Sequence, residues 1–162
     1  MKTNIKSARW PGDEIIKGGW SKVVVLDGVC YHPHPFGGGL VAETAKVALT
    51  AFIGLYALVY DRARVSSNAR VSGNARVFGD AEVSGDAQVF GNARVFGDAE
   101  VSGDAQVFGN ARVFGDAEVF GNAQVSGDAE VFGSAWVSGN ARVFGDAWVS
   151  GNAREAGHAG GR

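Results

Sequence analysis

The stretch ARVFGDAEVSGDAQVFGN, residues 75–92, recurs letter for letter at residues 93–110. Its evident unit, A-x-V-x-G-(N/D), is six residues long, so an eighteen-residue identity needs its own explanation. Anchored at Ala75, the hexads run forward to Ala147 and back through Ala69, Ala63, Ala57 and Ala51 to Ala45. Two residues after each of these alanines stands a β-branched aliphatic, from Val47 and Ile53 to Val149. That makes eighteen consecutive units without an insertion. Gly39-Leu40-Val41 reads as a partial unit before them, and the pattern fails after Val149, where Glu155 takes the aliphatic place.

In an extended segment alternate side chains share a face. The Ala and Val of A-R-V-F therefore point one way and the Arg and Phe the other. Gly and Asn/Asp follow, residues that tolerate positive φ and tight turning. Each hexad is a short strand plus a corner, and it can bury its apolar side only by coiling around an axis. The verbatim eighteen sets three hexads per coil, with residue n stacked on residue n+18 at ~4.8 Å. Eighteen hexads then make six triangular coils, a prism about 29 Å tall at that spacing.

The unit also carries a resemblance. Val41-Ala42-Glu43-Thr44-Ala45-Lys46 and Ile53-Gly54-Leu55-Tyr56-Ala57-Leu58 resemble the hexapeptide-repeat superfamily, whose fold is the left-handed parallel β-helix. Later units keep the aliphatic and the small Ala but place Ser or Phe where that family prefers a small residue. The A-R-V-x-G-(N/D) run also looks like uncharacterised phage and bacterial proteins labelled transferases. The resemblance covers about residues 39–152 and implies the left-handed winding. The expected architecture is thus all-β: a left-handed parallel β-helix over 39–152, a capping segment over 1–38 and a flexible tail over 153–162.

Two segments compete with or adjoin this pattern. Val47 to Tyr60 carries no charge and offers a hydrophobic helix as a rival reading, but it is short for a membrane span and Lys46 and Asp61 bound it. In residues 1–38, Ile15-Ile16 and Val23-Val24-Val25-Leu26 read as strands, and Gly18-Gly19 and Asp27-Gly28 as turns. Covering the open strand edges of the first coil is the expected role of that segment.

Bulk properties bound the function. The 162-residue chain has net charge −2 and pI near 5.9, without the basic excess of a general polyanion binder. A single cysteine, Cys30, excludes an intramolecular disulfide and a thiolate zinc cluster. Arg9, Asp13 and Glu14 precede any apolar run, so no secretory signal is expected; a cytoplasmic setting is favoured over secretion, and membrane association is not expected.

Sorting outward residues by their place in the coil gives three faces. Face one carries Lys46, Arg64, Glu82, Glu100, Glu118 and Trp136, beside Ala48, Ser66, Ser84, Ser102, Phe120 and Ser138. Face two carries Phe52, Arg70, Gln88, Gln106, Gln124 and Arg142, with Phe90 and Phe108 in the neighbouring column. Face three carries Leu58, Arg76, Arg94, Arg112, Glu130 and Trp148, beside Tyr60, Phe78, Phe96, Phe114, Phe132 and Ser150. Glutamine columns can bond along the stack, and the Asp80, Asp98 and Asp116 corners can offset the arginines. Duplication with simple ladders explains such columns without a partner. Against that, the aromatic row of face three is an apolar stripe of a size soluble monomers rarely expose. The expected interaction surface is therefore Tyr60, Arg76, Phe78, Arg94, Phe96, Arg112, Phe114 and Phe132, with Glu82, Glu100 and Glu118 as complementary charge. The expected partner is the chain itself, as a side-by-side trimer or by head-to-tail stacking, or another protein.

Catalysis has weaker support. Hexapeptide-repeat acyltransferases use a histidine base, often between subunits, which makes an acyltransferase with His32 or His34 the alternative function. His32, His34 and His158 all lie outside the regular coils. No catalytic residue, metal site or cofactor is expected: the glycines are corner residues, and the carboxylates form exposed columns. Serine rows suit an ice-binding surface, but the glutamates beside them do not. Nucleic acid on face three is disfavoured by the flanking aspartates.

Overall fold

The computed structural model describes residues 23–160; the expected Ile15–Ile16 strand and Gly18–Gly19 turn lie outside the described residues. Every hexad forms one two- or three-residue strand on its x-Val (or x-Ile) pair, from Lys46–Val47 through Phe52–Ile53 and Leu58–Val59 to Trp148–Val149. As far as Trp136–Val137 each pairs in parallel with the strand eighteen residues on: Arg76 with Arg94, Arg94 with Arg112, Glu82 with Glu100, Gln88 with Gln106; Arg142–Phe144 pairs sixteen residues on, with His158–Gly160. The strands therefore distribute over three sheets, one per face. The protein is an all-β parallel solenoid of about six coils, eighteen residues per coil.

Two-residue strands suffice because the bonding does not stop at their ends. In one hexad the N–H of Arg94 donates to Ala111 at 2.9 Å, that of Phe96 to Val113 at 3.0 Å and that of Asp98 to Gly115 at 2.9 Å. Even the corner is tied to the corner below, so backbone polar groups are paired around most of the coil. Inside, the alanine and valine columns fill the shaft: from Ala63 to Val143 each is essentially inaccessible. The helix reading of Val47–Tyr60 is overturned, because the hexad phase puts Ala51, Ile53, Ala57 and Val59 into the shaft.

The N-terminal end carries antiparallel structure. Val24–Leu26 pairs with Val29–Pro33, which pairs with Leu40–Ala42, extending the face-three sheet. The turn between the last two crosses the edge of face two. Ile53 N–H donates to Phe36 at 3.0 Å, Gly39 N–H donates to Ile53 at 2.9 Å, and the Phe36 ring meets Phe52 edge-on at 5.1 Å. At the other end pairing continues past Asn152. Arg154–Glu155 joins face one and His158–Gly160 joins face two, where a flexible tail was expected. Ladder bonds are made by the backbone, so the loss of the aliphatic at Glu155 does not end them. Among the described residues no helix is long and apolar enough to cross a membrane.

Gly97 illustrates the corner. Its φ is +75°, and an added Cβ would lie 2.9 Å from the Gly115 nitrogen in the next coil. Ser67 holds the same position at φ 58° with a side chain. Substituting Gly97→Ala is expected to destabilise the fold by ~1–3 kcal/mol, and Ser67→Gly to stabilise it slightly, both read from urea denaturation midpoints.

Candidate interaction surface

Face three is set by the hexad's second and fourth positions. The fourth-position rings form a continuous stack: Tyr60 on Phe78 at 4.8 Å, Phe78 on Phe96 and Phe96 on Phe114 at 4.9 Å, Phe114 on Phe132 at 5.0 Å, all within 5° of parallel. Trp148 closes the stack edge-on against Phe132. Each such pair contributes roughly 0.2–1 kcal/mol across the sheet. Because every ring covers its neighbours' faces, these residues are only half-buried rather than fully displayed. The apolar stripe is thus smaller than the sequence implied, and it offers solvent its ring edges. The strongly exposed apolar side chains lie nearer the ends: Leu49, Tyr56 and Trp148 are more than 70% exposed.

Beside the rings, Arg76, Arg94 and Arg112 stand exposed in register. Neighbouring guanidinium groups at this spacing repel by about 0.9 kcal/mol in water before salt screening. Arg112 bonds Glu130 one coil on, at 3.2 Å. Arg76 and Arg94 make no ion pair within the described residues. The aspartate corners do not offset them: Asp80 is instead bridged to Arg62 at 2.6 Å.

Face one holds Glu82, Glu100 and Glu118 in register, a column of like charge topped by Lys46 and Arg64. The arrangement Lys46, Arg64, Glu82 makes face one polar along its length, which a search for single-sign stripes misses. On face two the expected glutamine-to-glutamine bonds are not formed; Gln124 instead accepts from Arg142 Nε at 3.2 Å. Bonding along the stack belongs to the corner amides, which the sequence reading passed over. Asn74 donates to Asn92, Asn92 to Asn110 and Asn110 to Asp128, at 3.2, 3.0 and 2.9 Å. Their signal in the sequence is three asparagines at eighteen-residue intervals.

The residues considered for catalysis sit in the cap. His34 is 3% exposed, in the turn that crosses face two. Its Nδ1 lies 3.2 Å from the Phe36 carbonyl oxygen and 3.3 Å from the Phe36 nitrogen. Burial pushes its pKa below the usual histidine value, partly opposed by backbone hydrogen bonds at Phe36 and Ala48. His32 and Cys30 lie on the neighbouring strand Val29–Pro33. Among the described residues no three His, Cys, Asp or Glu side chains converge as metal ligands. A hollow of about 380 Å³ lined by Thr44, Lys46, Arg62, Arg64, Asp80 and Glu82 opens broadly at the edge of face one, away from these histidines.

The repeat is matched by a known family. The YdcK β-solenoid repeat matches residues 69–85, 87–103, 105–122, 123–139 and 135–151, together half of the chain. No curated protein and no solved structure matches the chain.

The buried His34 gives a pH dependence of known sign. Its folded pKa lies below the unfolded value near 6.5, so the unfolded chain takes up the proton first on acidification. Its contribution to stability is full above pH ~6.5 and is lost as pH falls below that value. Between pH 7.5 and 5.5 the Tm of the His34→Gln variant is expected to fall less than that of the parent chain.

Proposed function

We propose that this chain, which belongs to the YdcK β-solenoid repeat family, is a non-enzymatic structural solenoid that binds a protein, a copy of itself included, through its ruled faces. The binding surface is face three: Tyr60, Phe78, Phe96, Phe114 and Phe132 with Arg76, Arg94 and Arg112. The observation that carries the reading is the arginine column, exposed in register and, at Arg76 and Arg94, without a carboxylate. A column of like charge costs free energy that a complementary partner relieves. The stacked rings beside it hold the surface flat and rigid, so little side-chain entropy remains to be lost on docking. Their covered faces favour a partner that presents charge over one that stacks, such as nucleic-acid bases.

Left-handed winding and kinship with hexapeptide-repeat proteins are part of the same proposal, supported by Val41–Lys46 and Ile53–Leu58. Side-by-side contact fits better than head-to-tail stacking. The antiparallel hairpin and the Phe36–Gly39 crossing already occupy strand edges at the N-terminal end. The acyltransferase alternative has less behind it, since His34 is enclosed by its own turn and its Nδ1 is engaged by Phe36.

Calorimetry with acetyl-CoA is expected to give no binding heat; a heat that disappears in His34→Ala would put the enzyme reading first. Replacing Phe78, Phe96 and Phe114 by Ser is expected to leave the circular dichroism of the fold and remove the chain's association in light scattering. Association that persists unchanged would place the binding surface elsewhere.

A further inference from the structure

We infer that face three docks on face one of a second copy of this chain, with the two solenoid axes antiparallel. The inference rests on face three being the binding surface and names its partner.

Spacing comes first. The coil repeat seen in the ring stack is 4.8–5.0 Å. Arg76, Arg94 and Arg112 share that repeat with Glu82, Glu100 and Glu118, because both columns are built on the same parallel ladder. Two copies therefore match charge for charge over several coils. A DNA strand, with one phosphate per ~3.4 Å of axis, does not keep step.

Relative direction follows from the order of residues along a strand. Each strand crosses its face carrying the second-position side chain first and the fourth-position one about 7 Å later. When two such faces meet with parallel axes, their strands run in opposite directions. The arginines then lie over serines and the phenylalanines over glutamates. With antiparallel axes the strands run alike, and arginine meets glutamate while phenylalanine meets serine. This holds for either hand of winding.

The remaining residues then fix the register. With all six coils overlapped, Arg76 meets Glu118, Arg94 meets Glu100 and Arg112 meets Glu82. At the ends Glu130 meets Arg64, Leu58 meets Trp136, and Trp148, 72% exposed, meets Lys46. No like charges oppose. The Phe96, Phe114 and Phe132 edges fall over Ser102, Ser84 and Ser66, tall residues over short ones, while Phe78 meets Phe120 ring to ring. A slip of one coil breaks this: in one direction Arg112 comes to Arg64, in the other Glu130 comes to Glu82. Like-charge juxtaposition thus specifies the register as well as the pairing. Because each copy has one face of each kind, the contact is heterologous and propagates. Successive copies alternate up and down, and alternate copies are related by translation, giving a ribbon.

The test uses the full chain and two charge-reversed variants, R76E/R94E/R112E and E82R/E100R/E118R. The parent is expected to scatter light above its 16.8 kDa mass, more so at low salt, and to show ribbons by electron microscopy. Each variant alone is expected to be monomeric, since its two faces now carry one sign. Mixed in equal amounts, the variants are expected to co-assemble, because each supplies the face the other needs. A parent that stays monomeric at every concentration overturns the self-docking, and leaves face three to a foreign protein. A parent that assembles while the variant mixture does not overturns the face-three-on-face-one pairing. The acetyl-CoA experiment fails independently of both, so the two readings fall separately.

Discussion

Everything in this molecule depends on the parallel ladder between residue n and residue n+18. Two-residue strands have almost no stability as isolated elements. Here each is one rung of a sheet that runs the length of the prism, and the corners are bonded as well. The ladder requires that the backbone arrive at the same angle every eighteen residues, which is why a residue in the left-handed region follows almost every strand. It also requires a shaft of constant bore, which Ala and Val supply. Once those conditions hold, the outward residues are free of the constraint of the shaft.

That freedom explains what was legible in the sequence. The Ala and Val positions repeat under strict geometric constraint, so coil length, strand positions and all three faces could be read from the letters alone, and the pairing of Arg76 with Arg94 follows. The segment Val47–Tyr60 is ambiguous by composition and becomes plain only by phase. The cap was less legible because it obeys no period. The route of Phe36–Gly39 across face two depends on Gly37 and Gly39, where an added Cβ would lie 2.2 and 2.3 Å from carbonyl oxygens of the first coil. Nothing in the letters HPHPFGGGL announces that contact.

The surface was legible in composition but not in detail. The columns are where the sequence places them, yet their interactions differ from the simple expectations. Rings at this spacing cover one another, so an outward phenylalanine is not a fully exposed one. Asp80 bonds Arg62, the corner residue one coil before it, and the corner asparagines bond along the axis because their short side chains hold position while glutamine's longer one does not. Such outcomes depend on side-chain length and direction, which periodicity does not encode.

The verbatim coils have one more consequence. Over residues 75–110 the two identical layers give a folding chain no side-chain means of telling one from the other. A slip of eighteen residues within 75–110 keeps valine on valine and ring on ring in the remaining layers, at the cost of one layer expelled as a loop. The layers outside that stretch differ: the hairpin with its buried His34 and Arg64 on one side, and Phe120, Glu130, Trp136 and Trp148 on the other. These features act as phase marks, and the chain counts its own layers from them.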